Sequence, residues 1–168
     1  ENTSNVSEIF NLNLTYNKAG WVVHMLRGVM GDSSFFQTLK SYGSNDTLAY
    51  NSATTEDFKK VCEAESGLDL EDFFNQWIYG SYYPKYGVSW ELNEDNELIV
   101  DIYQQQNWQY FNMPIPIHVI TTQDTIKLVL ENTSEYQQFN LGFFSNSVVD
   151  LKFDPDNWIL KEVEYLSL

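Results

Sequence analysis

Residues 70–103 read LEDFFNQWIYGSYYPKYGVSWELNEDNELIVDIY, and the spacing of the apolar residues changes inside them. Before Gly80, Phe73, Phe74, Trp77 and Ile78 recur at helical steps, the mark of a helix with one apolar face. After Tyr86 the step drops to two: Leu98, Val100 and Ile102 alternate with Ile99, Asp101 and Tyr103, as in a half-buried strand. A division into 1–85 and 86–168 follows, helices first and strands second. That order predicts an α+β organisation and not an alternating parallel sheet.

Toward the N-terminus the helical period persists. Val22, Val23, Leu26, Val29 and Met30 mark a helix from Tyr16 to Met30 that ends at Gly31. Asp32 or Ser33 is placed to cap a second, with Phe35, Phe36, Leu39 and Tyr42 on its apolar side. Gly43 to Ala53 is polar and reads as a loop. Thr54-Thr55-Glu56-Asp57 has the form of a capping box, opening a third helix through Phe58, Val61 and Cys62 that Gly67 closes. Asp69 caps a fourth, Leu70 to Tyr79, which makes about four helices. Toward the C-terminus, strands are predicted at 87–93, 98–103, 115–120, 126–130, 136–141, 148–153 and 158–165. Turn signals separate them at Glu94-Asp95-Asn96, Thr122-Gln123 and Asp154-Pro155-Asp156-Asn157. About seven short strands with turns at this interval predict an antiparallel β-sandwich of immunoglobulin-like type.

Composition removes several functions. The 168 residues hold 9 Lys+Arg against 24 Asp+Glu, a formal charge of −15. Phosphate contacts need clustered Lys and Arg, so no nucleic acid is expected as partner, nor an anionic membrane surface. No apolar run approaches the ~20 residues that cross a bilayer, so no membrane insertion is expected. The charge is uneven: residues 1–86 hold 6 basic and 11 acidic groups, residues 87–168 hold 3 and 13. One cysteine, Cys62, excludes an internal disulfide and any Cys-based zinc cluster. A chain that starts at Glu1 reads as a processed product or a piece of something longer. Sequons stand at Asn2, Asn5, Asn13, Asn45 and Asn132. In a chain this rich in Asn, Ser and Thr they arise by chance, and glycosylation would require a eukaryotic secretory source. The acidic, cysteine-poor, sequon-rich character points to an extracellular or periplasmic location.

The residues also limit the chemistry. A zinc hydrolase needs about three protein ligands and an open position. The two histidines, His24 and His118, lie in different halves, and neither is followed by Glu-x-x-His. No metal or other cofactor site is therefore expected in this chain. His24 reads as a packed helix residue and His118 as a solvated strand position. Gly-x-Ser-x-Gly, phosphate-loop and GxGxxG patterns are absent from the sequence. Cys62 has Glu63 beside it, which raises a thiol pKa, so it is expected to be inert. Glu71-Asp72 suits a helix N-terminus. Asp154 and Asp156 suit a turn, and three turn oxygens fall short of the six to eight that Ca²⁺ takes.

One ordered series is more specific. It runs Tyr16-Asn17-Lys18-Ala19-Gly20-Trp21-Val22-Val23-His24-Met25-Leu26-Arg27, then Gly31-Asp32 and Phe36. Ala53-Thr54-Thr55-Glu56-Asp57-Phe58, Ser66-Gly67-Leu68-Asp69-Leu70 and Phe73-Phe74-Asn75-Gln76-Trp77-Ile78-Tyr79 continue it. Gly80, Pro84 and the terminal Asp154-Pro155-Asp156-Asn157-Trp158-Ile159-Leu160 complete it. This series resembles the segment downstream of the zinc motif in M1-family zinc aminopeptidases, where Tyr-x-Lys-Gly-Ala opens a helix ending in His-Met-Leu-Arg. The resemblance implies that Tyr16 is the catalytic tyrosine, its hydroxyl donating to the oxyanion of the tetrahedral intermediate. A directional donor of this kind is worth about 3 kcal/mol. From the residues alone, Tyr16 reads as a tyrosine packed at a helix start; the catalytic role comes from the resemblance. Lys18-Ala19-Gly20 departs from the family's Lys-Gly-Ala, which affects the expected helix entry. The family's His-Glu-x-x-His helix, its Glu ligand, its Gly-rich substrate motif and its amino-group site belong upstream of Tyr16.

The resemblance thus implies a fragment of a metallopeptidase that removes N-terminal residues from peptides. On that reading zinc and the peptide substrate belong to the full-length parent, and this chain is inactive alone. Two other readings stand beside it. One is a peptide- or glycan-binding β-sandwich module displaying Trp108, Tyr110 and Phe111; the other is a degenerate structural homologue. A cut piece would also expose a formerly covered face of its helical half, which predicts self-association through that face.

Overall fold

The computed structural model describes residues 5–167. The chain divides into two units, Glu1–Gly80 and Ser81–Leu168.

The first unit is helical. Its elements are α1 (Val6–Ile9), a π-helical turn (Leu12–Asn17), α2 (Lys18–Ser44), α3 (Thr55–Ser66), α4 (Glu71–Phe74) and a second π-helical turn (Asn75–Tyr79). The helices differ from those the sequence suggests in their bounds: the first two expected are joined in α2, and the fourth is split into α4 and a π-helical turn. The break expected at Gly31 is present: α2, Lys18 through Ser44, is two helical segments meeting at a kink where Gly31 has the non-helical φ 75°, ψ 156°. Glycine supplies the positive φ without steric cost. Asp32 turns its carboxylate back across the kink instead of capping a new helix. It accepts two hydrogen bonds from the Arg27 guanidinium, at 2.8 and 2.9 Å. The same guanidinium lies 5.2 Å from the ring centroid of Phe36.

Local sequence chemistry explains the other helix ends. Thr54 and Asp57 form the reciprocal capping box of α3, each side chain bonded to the other's backbone N–H. At the far end Gly67 adopts φ 71°, ψ 9° and its N–H closes on the carbonyl of Glu63. The Asp69 carboxylate accepts from the N–H of Glu71, 3.0 Å away, in the lead-in to α4. Met25, Leu26, Phe35, Cys62, Leu70, Phe73, Phe74 and Trp77 are buried. Four residues expected on apolar faces are not: Val23, Phe36, Leu39 and Ile78 are exposed.

The second unit is a pair of sheets. Its strands are β1 (Lys85–Leu92), β2 (Glu97–Gln104), β3 (Met113–Thr121), β4 (Thr125–Asn132), β5 (Tyr136–Phe143), β6 (Val148–Phe153) and β7 (Glu162–Tyr165). They form a four-stranded sheet ordered β5-β2-β1-β7 and a three-stranded sheet ordered β4-β3-β6. Alternation works as expected, since Val88, Leu98, Val100, Ile102, Ile115, Ile117 and Val119 all fall on inner faces and are completely buried. The sheets meet through Tyr86 and Phe153, whose ring centroids are 4.9 Å apart. A polar link also joins them: Gln104 Nε2 donates to Asn132 Oδ1 at 2.6 Å, with Asn132 fully buried.

The last strand departs from the sequence expectation. Residues 158–165 were expected as one antiparallel strand, but only Glu162–Tyr165 pairs, and it pairs parallel to β1. The cause lies in Asp154. Its carboxylate accepts the N–H groups of Trp158 (2.8 Å) and Ile159 (2.9 Å), which removes them from any strand ladder. Lys161 Nζ completes the arrangement at 2.6 Å from Asp154 Oδ2, an ion pair whose side chains are 6% and 0% exposed.

Candidate functional site

Tyr16 lies in the π-helical turn ahead of α2, not in the first turn of the helix itself. The turn forms because Asn11 caps it, its side-chain oxygen accepting from the N–H groups of Asn13 and Leu14. The N–H of Lys18 then reaches the carbonyl of Asn13, five residues back, and carries the wide turn into α2. Such wide turns are rare and recur at functional sites, because they re-aim one side chain against the helical order. This is how the chain enters the helix despite the Lys-Ala-Gly order at residues 18–20. Lys18 itself is anchored by a hydrogen bond from Nζ to the carbonyl of Gly80, at 3.2 Å.

The consequence for Tyr16 is exposure. Half of its surface meets solvent, and its hydroxyl makes no hydrogen bond among the described residues. Beside it an open depression of about 530 Å³ is lined by Tyr16, Asn17, Gly20, Trp21 and His24. The Trp21 and His24 rings meet edge to face, 5.7 Å between centroids and 82° between planes. The structure thus brings His24, expected as a merely packed residue, to the wall next to Tyr16. Sequence reasoning passed over Asn17, Gly20 and Trp21. The available signal was spacing, since residues 17, 20, 21 and 24 share one face of a helix.

The remaining residues of chemical interest are scattered. Cys62 is buried, and burial pushes its thiol up to about 12, with the Glu63 carboxylate adding in the same direction. A thiol so held is a poor nucleophile. Glu71 sits in the first turn of α4 and pairs with Lys59, which also holds Glu56 at 2.9 Å. Hydrogen bonds from Lys59 keep both carboxyls below their ordinary values, so the cluster ties α3 to the chain that follows it. Asp154 belongs to the turn and its buried ion pair. His118 stands on β3 directly opposite Lys127 of β4 and Lys152 of β6. The aromatic trio at 108–111 does not form one platform. Trp108 and Tyr110 are exposed, but Phe111 is completely buried, its backbone N–H and carbonyl both bonded to the Gln104 amide. Of the sequons, Asn132 is buried and Asn2 lies outside the described residues.

A metal finds no place among these groups. Among the described residues, no three His, Cys, Asp or Glu side chains gather in a way that could hold an ion. The residues present therefore do not fit zinc, and no chemical step is assigned to a metal held by this chain.

Comparison with known proteins gives these features a context. The family model described as "Peptidase family M1 domain" matches residues 1–77, which contain the π-helical turn, α2 and α3. Aminopeptidase M1-C of Oryza sativa subsp. japonica is 34% identical over 101 residues, covering 57% of this chain and 11% of that protein. Transcription initiation factor TFIID subunit 2 of Saccharomyces cerevisiae is 31% identical over 94 residues, covering 49% of this chain and 6% of that protein. The chain thus spans about a tenth or less of these relatives. The crystal structure of Legionella pneumophila aminopeptidase A in complex with aspartic acid shares the fold at a TM-score of 0.78 and 19% identity. That likeness covers 98% of this chain and 19% of the other. One fold likeness thus runs through both units, and the family match falls on the unit that carries Tyr16. The likeness to the peptidase family M1 domain is thus carried by residues 1–77, the part of the chain that holds Tyr16.

Proposed function

We propose that this chain is part of a zinc-dependent aminopeptidase, a metallopeptidase that removes N-terminal residues from peptides, and that Tyr16 is its oxyanion donor. On this reading the metal ligands and the peptide's amino-group site belong to other parts of the protein, and the chain is inactive alone. Residues 1–85 are the C-terminal part of the helical catalytic domain, and residues 86–168 a following sandwich of immunoglobulin-like type. The observation that carries the reading is the unpartnered, half-exposed Tyr16 hydroxyl beside an open depression, inside the segment that matches the M1 domain. A phenol of this kind acts by differential binding. As the scissile carbonyl becomes tetrahedral, its oxygen gains negative charge, and the Tyr16 O–H donates to that oxygen more strongly than to the ground-state carbonyl.

The test is Tyr16→Phe in the full-length protein, assayed on aminoacyl fluorogenic substrates. Loss of about 10²–10³ in kcat with KM little changed is the expected result, as for the removal of one oxyanion donor. A variant within about threefold of wild type defeats the assignment of Tyr16. A second reading, a degenerate homologue with a structural role, gains support from the likeness to a transcription initiation factor subunit, whose name describes no peptidase. A full-length protein without peptidase activity decides for it. The platform reading has less support, because Phe111 is in the core and cannot be displayed with Trp108 and Tyr110.

A further inference from the structure

Residues 11–17 read Asn-Leu-Asn-Leu-Thr-Tyr-Asn, short polar side chains alternating with Leu12, Leu14 and Tyr16. Alternation of this kind suits a strand. The segment forms the π-helical turn instead, and none of residues Leu12–Asn17 is buried. Packing within the chain therefore does not hold the turn, and its polar side chains do. Asn11, extended at φ −60°, ψ 122°, turns its side-chain oxygen onto the N–H groups of Asn13 (3.0 Å) and Leu14 (3.1 Å). The Thr15 hydroxyl donates to the carbonyl of Ile9 at 2.6 Å, and Asn17 Nδ2 donates to Asn13 Oδ1 at 3.1 Å. Of these side chains, Asn11 alone takes two of the N–H groups that a helix start leaves without partners.

The width of the turn decides where Tyr16 lies. In an unbroken helix the N–H of Lys18 would reach the carbonyl of Leu14; here it reaches that of Asn13. One extra residue is thereby taken up, and a residue within the turn is displaced around the helix axis by up to one position, about 100°. The Asn11 cap fixes the start of the turn and Lys18 its end, so the cap sets how many residues lie between. Without the cap the first turn frays, and the phenol leaves the place the wide turn gives it. An oxyanion donor tolerates little of this, since a misplacement of about 1 Å at a reacting centre can cost about 10²-fold in rate.

We infer that Asn11 is a positioning residue for the Tyr16 hydroxyl, holding the phenol in place through the backbone of the turn without touching substrate itself. This role rests on the proposed aminopeptidase function, in which Tyr16 is the oxyanion donor. It gives the exposed amide of Asn11 a task in the reaction that a helix cap does not ordinarily have.

The experiment uses the full-length protein and aminoacyl fluorogenic substrates. Asn11→Ala lowers kcat by about five- to tenfold, the population lost with a typical cap, and leaves KM within about twofold. Asn11→Asp keeps the acceptor oxygen and returns kcat to within about twofold of wild type. The decisive measurement combines Asn11→Ala with Tyr16→Phe. Once the hydroxyl is gone, loss of the cap costs less than about twofold more, because the two residues act as a unit. An equal loss of kcat in both backgrounds shows a cap that serves the fold and not the phenol, and overturns the role. Unchanged kcat in Asn11→Ala, or no recovery in Asn11→Asp, overturns it as well. Tyr16→Phe within about threefold of wild type removes the assignment of Tyr16 and the role of Asn11 together. A large loss in Tyr16→Phe with no coupling to Asn11 defeats the positioning role alone.

Discussion

The two units differ in where their uncovered apolar residues lie. In the strand unit, seven aliphatic side chains on inner strand faces are wholly covered, from Val88 to Val119. In the helical unit, Val6, Phe10, Leu12 and Leu14 are all more than half exposed, in the same segment that carries Tyr16. Both units bury a core, the helical one with Met25, Leu26, Phe74 and Trp77, and the strand unit too has exposed apolar residues, Val129 and Phe143 among them. In the helical unit the exposed residues form a run in the segment that carries Tyr16. An apolar run of this kind is what interfaces are made from, and it lies in the unit that carries the candidate residue Tyr16. We propose that in the isolated chain this surface drives self-association.

The largest expected effect probes the self-sufficiency of the strand unit. Asp154→Asn leaves the Lys161 ammonium buried without its counter-charge, which costs about 3–5 kcal/mol in comparable cases. Urea denaturation of the full chain reads it, and a loss under about 1 kcal/mol shows that the unit does not depend on this pair. A smaller effect tests local order in the helical unit. Thr54→Ala removes one side of the capping box and lowers stability by about 1 kcal/mol; no change in the denaturation midpoint means that packing alone holds α3. The smallest change in stability comes from Leu12→Ser combined with Leu14→Ser. Exposed side chains contribute little, so the double variant stays within about 0.5 kcal/mol of wild type. Its effect is on association: light scattering at high concentration shows a monomer where wild type shows a dimer. A wild type that is already monomeric ends the proposal of self-association.

The sequence speaks clearly where a local rule has no competitor. Thr54 and Asp57 close their box and Gly67 takes the left-handed conformation at the end of α3. The strand of residues 148–153 forms at the boundaries its alternation predicts. Local rules fail where a side chain from elsewhere takes the backbone's partner. Asp154 captures the N–H groups of Trp158 and Ile159 and shortens the last strand. Arg27 captures Asp32, one of the two residues, with Ser33, expected to cap a second helix. The candidate site was legible as one residue, Tyr16, through resemblance to a family. Of its surroundings only the shared helix face of residues 17, 20, 21 and 24 was open to spacing; the π-helical turn was not, because it depends on the Asn11 cap, a cue no periodicity carries. Phe111 was misread for a similar reason: its polar Gln- and Asn-rich neighbourhood suggests a surface loop, yet the Gln104 amide satisfies its backbone and allows the ring to be buried.

Asn132 has a consequence in time. It heads a sequon, yet its side chain is wholly buried, with the Gln104 amide donating to its oxygen. A glycosyltransferase needs that same amide accessible on an extended chain. Were this protein made in a secretory compartment, attachment of a glycan and closure of the two sheets would be rival fates of one nascent chain. The Gln104–Asn132 bond would mark the moment after which only the unmodified outcome remained.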